Sequence, residues 1–382
     1  MIEKQINTTF RILSSICILL VVAGHADFHI FDLGGMFPYY SFHVMAFLFI
    51  SGYFYYEESE KDIISYIKRK LCKLMLPYLA WNFFYGLIAS GLHFSGFAIG
   101  GPINLKTLFL EPFLNGHQFG YNYASWFVPA LFLIEILNIC MRKILGFLHI
   151  KSEWFIASAC LLAGIFTIWL SINGHVWGYY KFPGRILFMF PAYQLGYLYK
   201  KHLEKYDTLP NGPYFTILFL VQLIVVLSCN GLAYSAVWCT GFVNGPFIPY
   251  ITCITGIAFW LRISRILAPL YHRLKYVRLI GENTYTIMMH HILGFLLLNA
   301  FLYAISVSGT LLEDFDRIAF FTDIGYLYHL NCAYAFKWVY LAAGLGIPLA
   351  VQYITRKLAK IIPVSQILQY ILGQRLFGIM YC

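Results

Sequence analysis

The chain has 382 residues, of which 60% are hydrophobic, 19% aromatic and only 12% charged, against roughly 25% charged in a soluble domain. This composition excludes an ordinary soluble globular protein and points to a membrane protein. The net charge of +10 is accounted for by basic residues gathered at membrane edges, where they face anionic headgroups. It therefore calls for membrane lipids as partners and not for nucleic acid.

Apolar runs of about 17–25 residues, long enough to cross a bilayer as helices, recur along the whole length. In chain order they predict ten spans, at 12–30, 38–56, 74–96, 124–142, 154–172, 184–200, 214–231, 246–262, 283–306 and 336–356. Of the 27 lysines and arginines, all but Lys106, Lys181, Arg185, Arg317 and Lys337 fall in one alternate set of joints. Cytoplasmic joints hold the basic residues, so both the N- and C-termini are expected in the cytoplasm. The basic set includes Lys4 at one end and Arg375 at the other. The expected fold is an all-α integral-membrane bundle of about ten transmembrane helices, a single domain over 1–382 with no appended soluble domain.

The first run has the short core and small following residues of a cleavable signal, but its polar residues favour retention as a span. Nine cysteines form no CxxC pair, which signals neither a zinc module nor a disulfide framework. Cys229, Cys239 and Cys332 are the ones placed where an oxidising exterior reaches. Two external joints, 97–123 and 307–335, are long enough either to cover a site or to be loose.

Ionisable residues inside spans are functional candidates by default. The first span ends in "ILLVVAGHADFHIF", which sets His25 about 21 Å beyond Arg11 at the helical rise, in the outer half of the membrane. His43 enters the second span at similar depth from the other direction, so the two imidazoles are expected to face one cavity. His25 and His29 stand one helical turn apart, a spacing that two metal ligands can use. His29 falls at the membrane surface, however, and no third ligand is fixed, so no metal is expected. In the ninth span "GENTYTIMMHHI" puts His290 and His291 about 10 Å above the cytoplasmic edge, and at most one of them can face a given cavity. Glu135, a lone mid-membrane carboxylate, must be protonated or paired. The joint "YIKRKLCKLMLPY" holds Arg69, Lys70 and Lys73, which serve either as a topology anchor or as a seat for the phosphates of a cytosolic donor.

Taken together, "ILLVVAGH", "FHVMAFLFISGYFYY", the basic stretch before "LPYLAWN", "WFVPALF", "FPAYQLGYLYKK" and "LIGENTYTIMMHH" resemble, in order, the acyltransferase family 3 proteins. These are integral-membrane O-acyltransferases, and the likeness is greatest to the fucose 4-O-acetylase-like branch. The resemblance implies acyl-CoA as donor and a hydroxyl acceptor on a sugar or cell-surface glycan. It places the family's essential histidine at His25 and its basic pair at Lys70 and Lys73, where two lysines stand for the family's arginines. Trp126 begins the match in span four. The family's usual basic residue eleven before the histidine is Ser14 here, with Arg11 one turn earlier.

The resulting expectation is a multi-pass enzyme of the bacterial cytoplasmic membrane that moves acetyl from acetyl-CoA, as a co-substrate with no resident cofactor, to a surface polysaccharide or its lipid-linked precursor. His25 and His43 are the expected catalytic residues. Arg11, Arg69, Lys70, Lys73, Trp126, Glu135, His290 and His291 are expected around the substrates. A glycan transporter or flippase is the alternative, because many spans with polar groups near the midplane suit one as well.

Overall fold

In hydrocarbon every backbone polar group must be satisfied within its own segment, and a helix does this unaided. The computed structural model describes residues 7–30, 33–229, 231–308, 312–329 and 336–361. Among these the regular elements are all helical, apart from two isolated bridges, Leu33 with Met36 and Ser235 with Thr240. Lys4, Cys332 and Arg375 lie outside the described residues.

The helices are α1 Thr8–His25, α2 His43–Tyr53, α3 Ile63–Lys70, α4 Leu76–Phe94, α5 Glu111–Leu114, α6 Phe127–Phe147 and α7 Glu153–Ile172. They continue with α8 Lys181–Leu198, α9 Asn211–Ser228, α10 Ile248–Leu267, α11 Lys275–Glu282, α12 Thr284–Ser308, α13 Arg317–Thr322 and α14 Phe336–Ile361. Eight stretches are long and apolar enough to cross a membrane: α1, the joined α3–α4, α6, α7, α9, α10, α12 and α14. The protein is an all-α polytopic membrane protein.

The second and sixth predicted spans are α2 and α8, which fall outside that set. α2 has 11 residues and rises only about 16 Å, too short to cross a core of about 30 Å. It needs no such length, because Met45 to Tyr53 are all buried by other helices. α2 and α8 cross at two glycines. A Cβ on Gly52 would stand 1.9 Å from the Tyr193 carbonyl oxygen, and one on Gly196 would stand 1.9 Å from that of Phe49. Only residues without a Cβ admit this backbone approach, the device by which membrane helices gain packing that hydrophobicity cannot supply.

The ninth span also starts at a different level from the expected one. Ser15 Oγ donates to the Val277 carbonyl (2.8 Å), and a Cβ on Gly281 would meet that same hydroxyl at 2.4 Å. The short α11 therefore lies against α1 at Arg11 and Ser15, and α12 begins there. His290 and His291 are thereby lifted to the level of the far end of α1.

The long joints form a cap. The Ala98 N–H donates to the Phe321 carbonyl (2.9 Å), and the Phe97 ring packs on Phe320 and Phe321 at 5.1 and 4.7 Å. Lys337, at the start of α14, donates to Asp27 Oδ2 (2.9 Å) just after α1, and this bond holds the Asp27 carboxyl below the usual carboxylate range. At the other end of the bundle the basic joints are knitted by ion pairs, Lys201 with Glu57 (2.9 Å) and Arg265 with Asp207 (2.7 Å).

Candidate active site

A cavity of about 240 Å³ opens between the outer end of α1, the start of α2 and the first residues of α6 and α12. Both His25 and His43 line it, together with Tyr39, Leu74, Trp126, Tyr234, Val237 and Tyr285. Gly24, in front of His25, has a local reason: a Cβ there would stand 2.3 Å from the Tyr39 ring. The bare backbone lets Tyr39 form the wall beside the two histidines, with its ring 5.4 Å from that of His43.

The hydrogen bonds around His25 fix which nitrogen is free. His291 Nδ1 lies 2.8 Å from the Ile287 carbonyl, which can only accept, so that nitrogen carries a hydrogen. With the ring neutral, His291 Nε2 is then an acceptor. It sits 2.7 Å from His25 Nδ1, which must donate to it. The remaining nitrogen of His25, Nε2, keeps its lone pair. His25 lines the cavity and His291 does not, so the unprotonated nitrogen belongs to the cavity side. His43 repeats the pattern in simpler form, its Nδ1 donating to the Tyr39 carbonyl at 2.6 Å and leaving its Nε2 basic.

His290 faces elsewhere. Its Nδ1 is 2.8 Å from the Tyr85 hydroxyl and its ring packs on Trp81, with centroids 4.4 Å apart. Of the adjacent histidines, only His291 reaches His25. His29 is exposed, beside Asp27 at 3.9 Å, and lines a second cavity beyond Tyr39. Among the described residues no group of three or more His, Cys, Asp or Glu converges as metal ligands.

The basic segment reaches the same cavity by a change of helical pitch. Leu71–Met75 form a π turn between α3 and α4, an irregularity that recurs at functional sites. Lys73 and Leu74 are consecutive on it, and Leu74 lines the His25 cavity. Lys70 turns inward: its Nζ lies 2.5 Å from Glu135 Oε1, which also accepts from Ser51 Oγ at 2.7 Å. Glu135 is therefore the paired carboxylate of the two expected alternatives. Arg69 is exposed, near Ser59 Oγ and the Tyr66 ring. Arg11 is buried at the opposite end of α1 from His25, with its carbonyl against Gly281, and does not line the cavity.

Another side of the cavity comes from the 97–123 joint, expected either to cover a site or to be loose, and from the joint between α9 and α10, which the sequence did not single out. Tyr123, just before α6, sets its ring 5.0 Å from that of His25, and His117 stands 5.4 Å behind it. His117 lies outside the spans, and its pKa is pushed down to about 4 by burial and, secondarily, by the charges of Arg185 and Lys181. Tyr234 to Val237, from the joint between α9 and α10, close the remaining side.

A histidine pair, half-buried His25 on buried His291, at a cavity reached by a basic turn suits group transfer. Residues 12–355 match the family model described as an acyltransferase domain, that of acyltransferase family 3. The chain belongs to this family. No curated protein and no solved structure matches it significantly. As a family 3 acyltransferase it is a membrane-embedded transferase, and the transporter alternative falls. Within the acyltransferase, His25, His43 and Trp126 share one cavity, whereas Arg11, Glu135 and His290 stand apart from it.

Proposed function

We propose that the protein is an O-acetyltransferase of the bacterial cytoplasmic membrane. It takes acetyl from cytosolic acetyl-CoA and gives it to a hydroxyl of a cell-surface polysaccharide or of its lipid-linked precursor. The observation that carries this reading is the ordered chain Ile287 carbonyl, His291, His25, which leaves a neutral basic nitrogen at the cavity. Such a nitrogen suits general-base work near neutral pH.

His25 Nε2 takes the proton of the acceptor hydroxyl as its oxygen attacks the thioester carbonyl. The new C–O bond replaces the C–S bond, and the departing CoA sulfur recovers the proton from His25. His43, on the same wall, orients the hydroxyl. Arg69 and Lys73 meet the CoA phosphates, and the continuity from Lys73 to Leu74 supports a donor route from the basic joint to His25. The alternate-joint charge pattern supports cytoplasmic termini and a donor arriving from that side.

The test is transfer of radiolabelled acetyl from acetyl-CoA by purified membranes to endogenous glycan. Labelled glycan is expected with the wild-type chain and not with His25→Ala. Incorporation that is equal in the two overturns the proposal.

A further inference from the structure

Two buried cations beside this cavity form no ion pair with a carboxylate among the described residues; Glu111, which accepts from Asn115 Nδ2 at 2.7 Å, is the one carboxylate whose charge reaches Lys181. Arg185 is 1% exposed and Lys181 7%, one turn apart at the start of α8. By contrast, buried Arg142 pairs with Glu153 at 3.0 Å and buried Arg262 with Asp207. Arg185 instead donates Nε to the Val237 carbonyl (2.8 Å) and Nη2 to the Asn115 carbonyl (3.3 Å). Its Nη1 has no hydrogen-bond partner among the described residues. Lys181 Nζ donates to Asn115 Oδ1 and lies 3.7 Å from the Trp238 ring centre. Neutral oxygens and ring faces orient these charges but do not neutralise them, and unpaired buried charge is costly.

Both cations adjoin the reaction cavity. Val237 and Trp126, which Arg185 touches, line it with His25, and the guanidinium lies 4.9 Å from the Trp126 ring centre. His117 packs against Trp238 at 4.7 Å, and its buried Nε2 has no partner. One ring, Tyr123, separates it from His25.

We propose that this side of the cavity is the acceptor subsite and that the acceptor is an anionic saccharide, held through its carboxylate or phosphate by Arg185 and Lys181. The inference rests on the acetyl-transfer reading. An arginine fork fits the planar oxygens of either anion, and Trp126, which lines the cavity, gives a sugar ring an apolar surface to pack on. The anion supplies the missing countercharge and sets the register of the sugar, so that one hydroxyl faces His25.

Binding is measured without donor, so the result is independent of acetyl transfer. The full chain in lipid nanodiscs is titrated with methyl glucuronide, glucose 1-phosphate and methyl glucoside, following tryptophan fluorescence. At least one anionic probe is expected to bind tenfold or more tightly than the neutral glucoside. Glucuronide in the lead identifies a carboxylate, and glucose 1-phosphate in the lead a phosphate. Lys181→Gln and Arg185→Gln are each expected to remove that preference, and Arg185→Lys to restore part of it. If Arg185→Gln fails to fold, Lys181→Gln alone decides. Equal binding of the three probes, no binding, or a charge preference that survives substitution overturns the proposal.

Discussion

His25 Nδ1 and His291 Nε2 lie 2.7 Å apart, joining the end of α1 to α12 across 266 positions of sequence. The bond orients the His25 ring and fixes its tautomer, so the two histidines are expected to fail differently. His25→Ala should lower turnover by about 10² to 10⁴, and His25→Gln should not rescue it, because an amide takes no proton at this pH. His291→Leu should lose about tenfold or more in kcat, whereas His291→Gln keeps an oxygen able to accept from Nδ1–H and should retain much of the rate. Transfer rates at saturating acetyl-CoA check this. Equal loss in His291→Leu and His291→Gln would falsify the orienting role.

The basic joint divides into two kinds of residue. Lys70 is engaged with Glu135, so Lys70→Met strands a buried carboxylate and should destabilise the protein by about 3–5 kcal/mol. Lys70→Met combined with Glu135→Leu should recover most of that. Arg69→Gln and Lys73→Gln should raise the KM for acetyl-CoA, the sign of lost ground-state binding. Thermal melts and donor titrations of the four variants separate the cases.

Crossing of α2 and α8 depends on two hydrogen atoms. Gly52→Ala and Gly196→Ala each push a methyl into a carbonyl that cannot move alone, and should cost at least the 1–3 kcal/mol, roughly, of ordinary overpacking. Gly91→Ala, which meets nothing within 4 Å, should be neutral or slightly stabilising in its helix. Melting temperature and folded yield in detergent read out the difference.

His117 gives the protein an acid-side slope. Its pKa is about 4 when folded and near 6.5 when unfolded, so between these values the unfolded chain binds a proton that the folded chain does not. Stability from this group is complete above about pH 6.5 and falls as the pH drops toward 4. The loss of melting temperature from pH 7 to pH 4.5 should be smaller in His117→Gln than in the wild type.

Span positions and the convergence of His25 with His43 were legible in the sequence because both follow from local rules, run length and residue counts from a membrane edge. The same counting misplaced His291. It assumed that the ninth span starts at the membrane surface, whereas contacts of Val277 and Gly281 with Ser15 draw its start inward. Hydropathy likewise returned α2 as a full span, since it registers apolar residues and not the neighbours that enclose them. The pairing of Lys70 with Glu135 spans 65 positions and depends on helix rotation, which no local pattern encodes. Of the remaining wall, Tyr123 ends a joint marked by its length, whereas Tyr234 to Val237 come from a joint that no local pattern set apart.

The shortness of α2 also sets the thickness of an insulator. From His43 to Tyr53 the helix rises about 15 Å, half of the hydrocarbon core, and the His25 cavity begins at one end of it. If acetyl-CoA and the acceptor arrive from opposite faces, as proposed, only that gap separates them, and neither has to be carried across the bilayer. A barrier so thin must be dry and tightly filled to hold back ions, and the bulky buried row Met45, Phe47, Leu48, Phe49 and Ile50 is what fills it. Replacing Phe49 by Ala in sealed proteoliposomes should therefore open a proton leak, visible with an entrapped pH dye, before it affects the chemistry at His25.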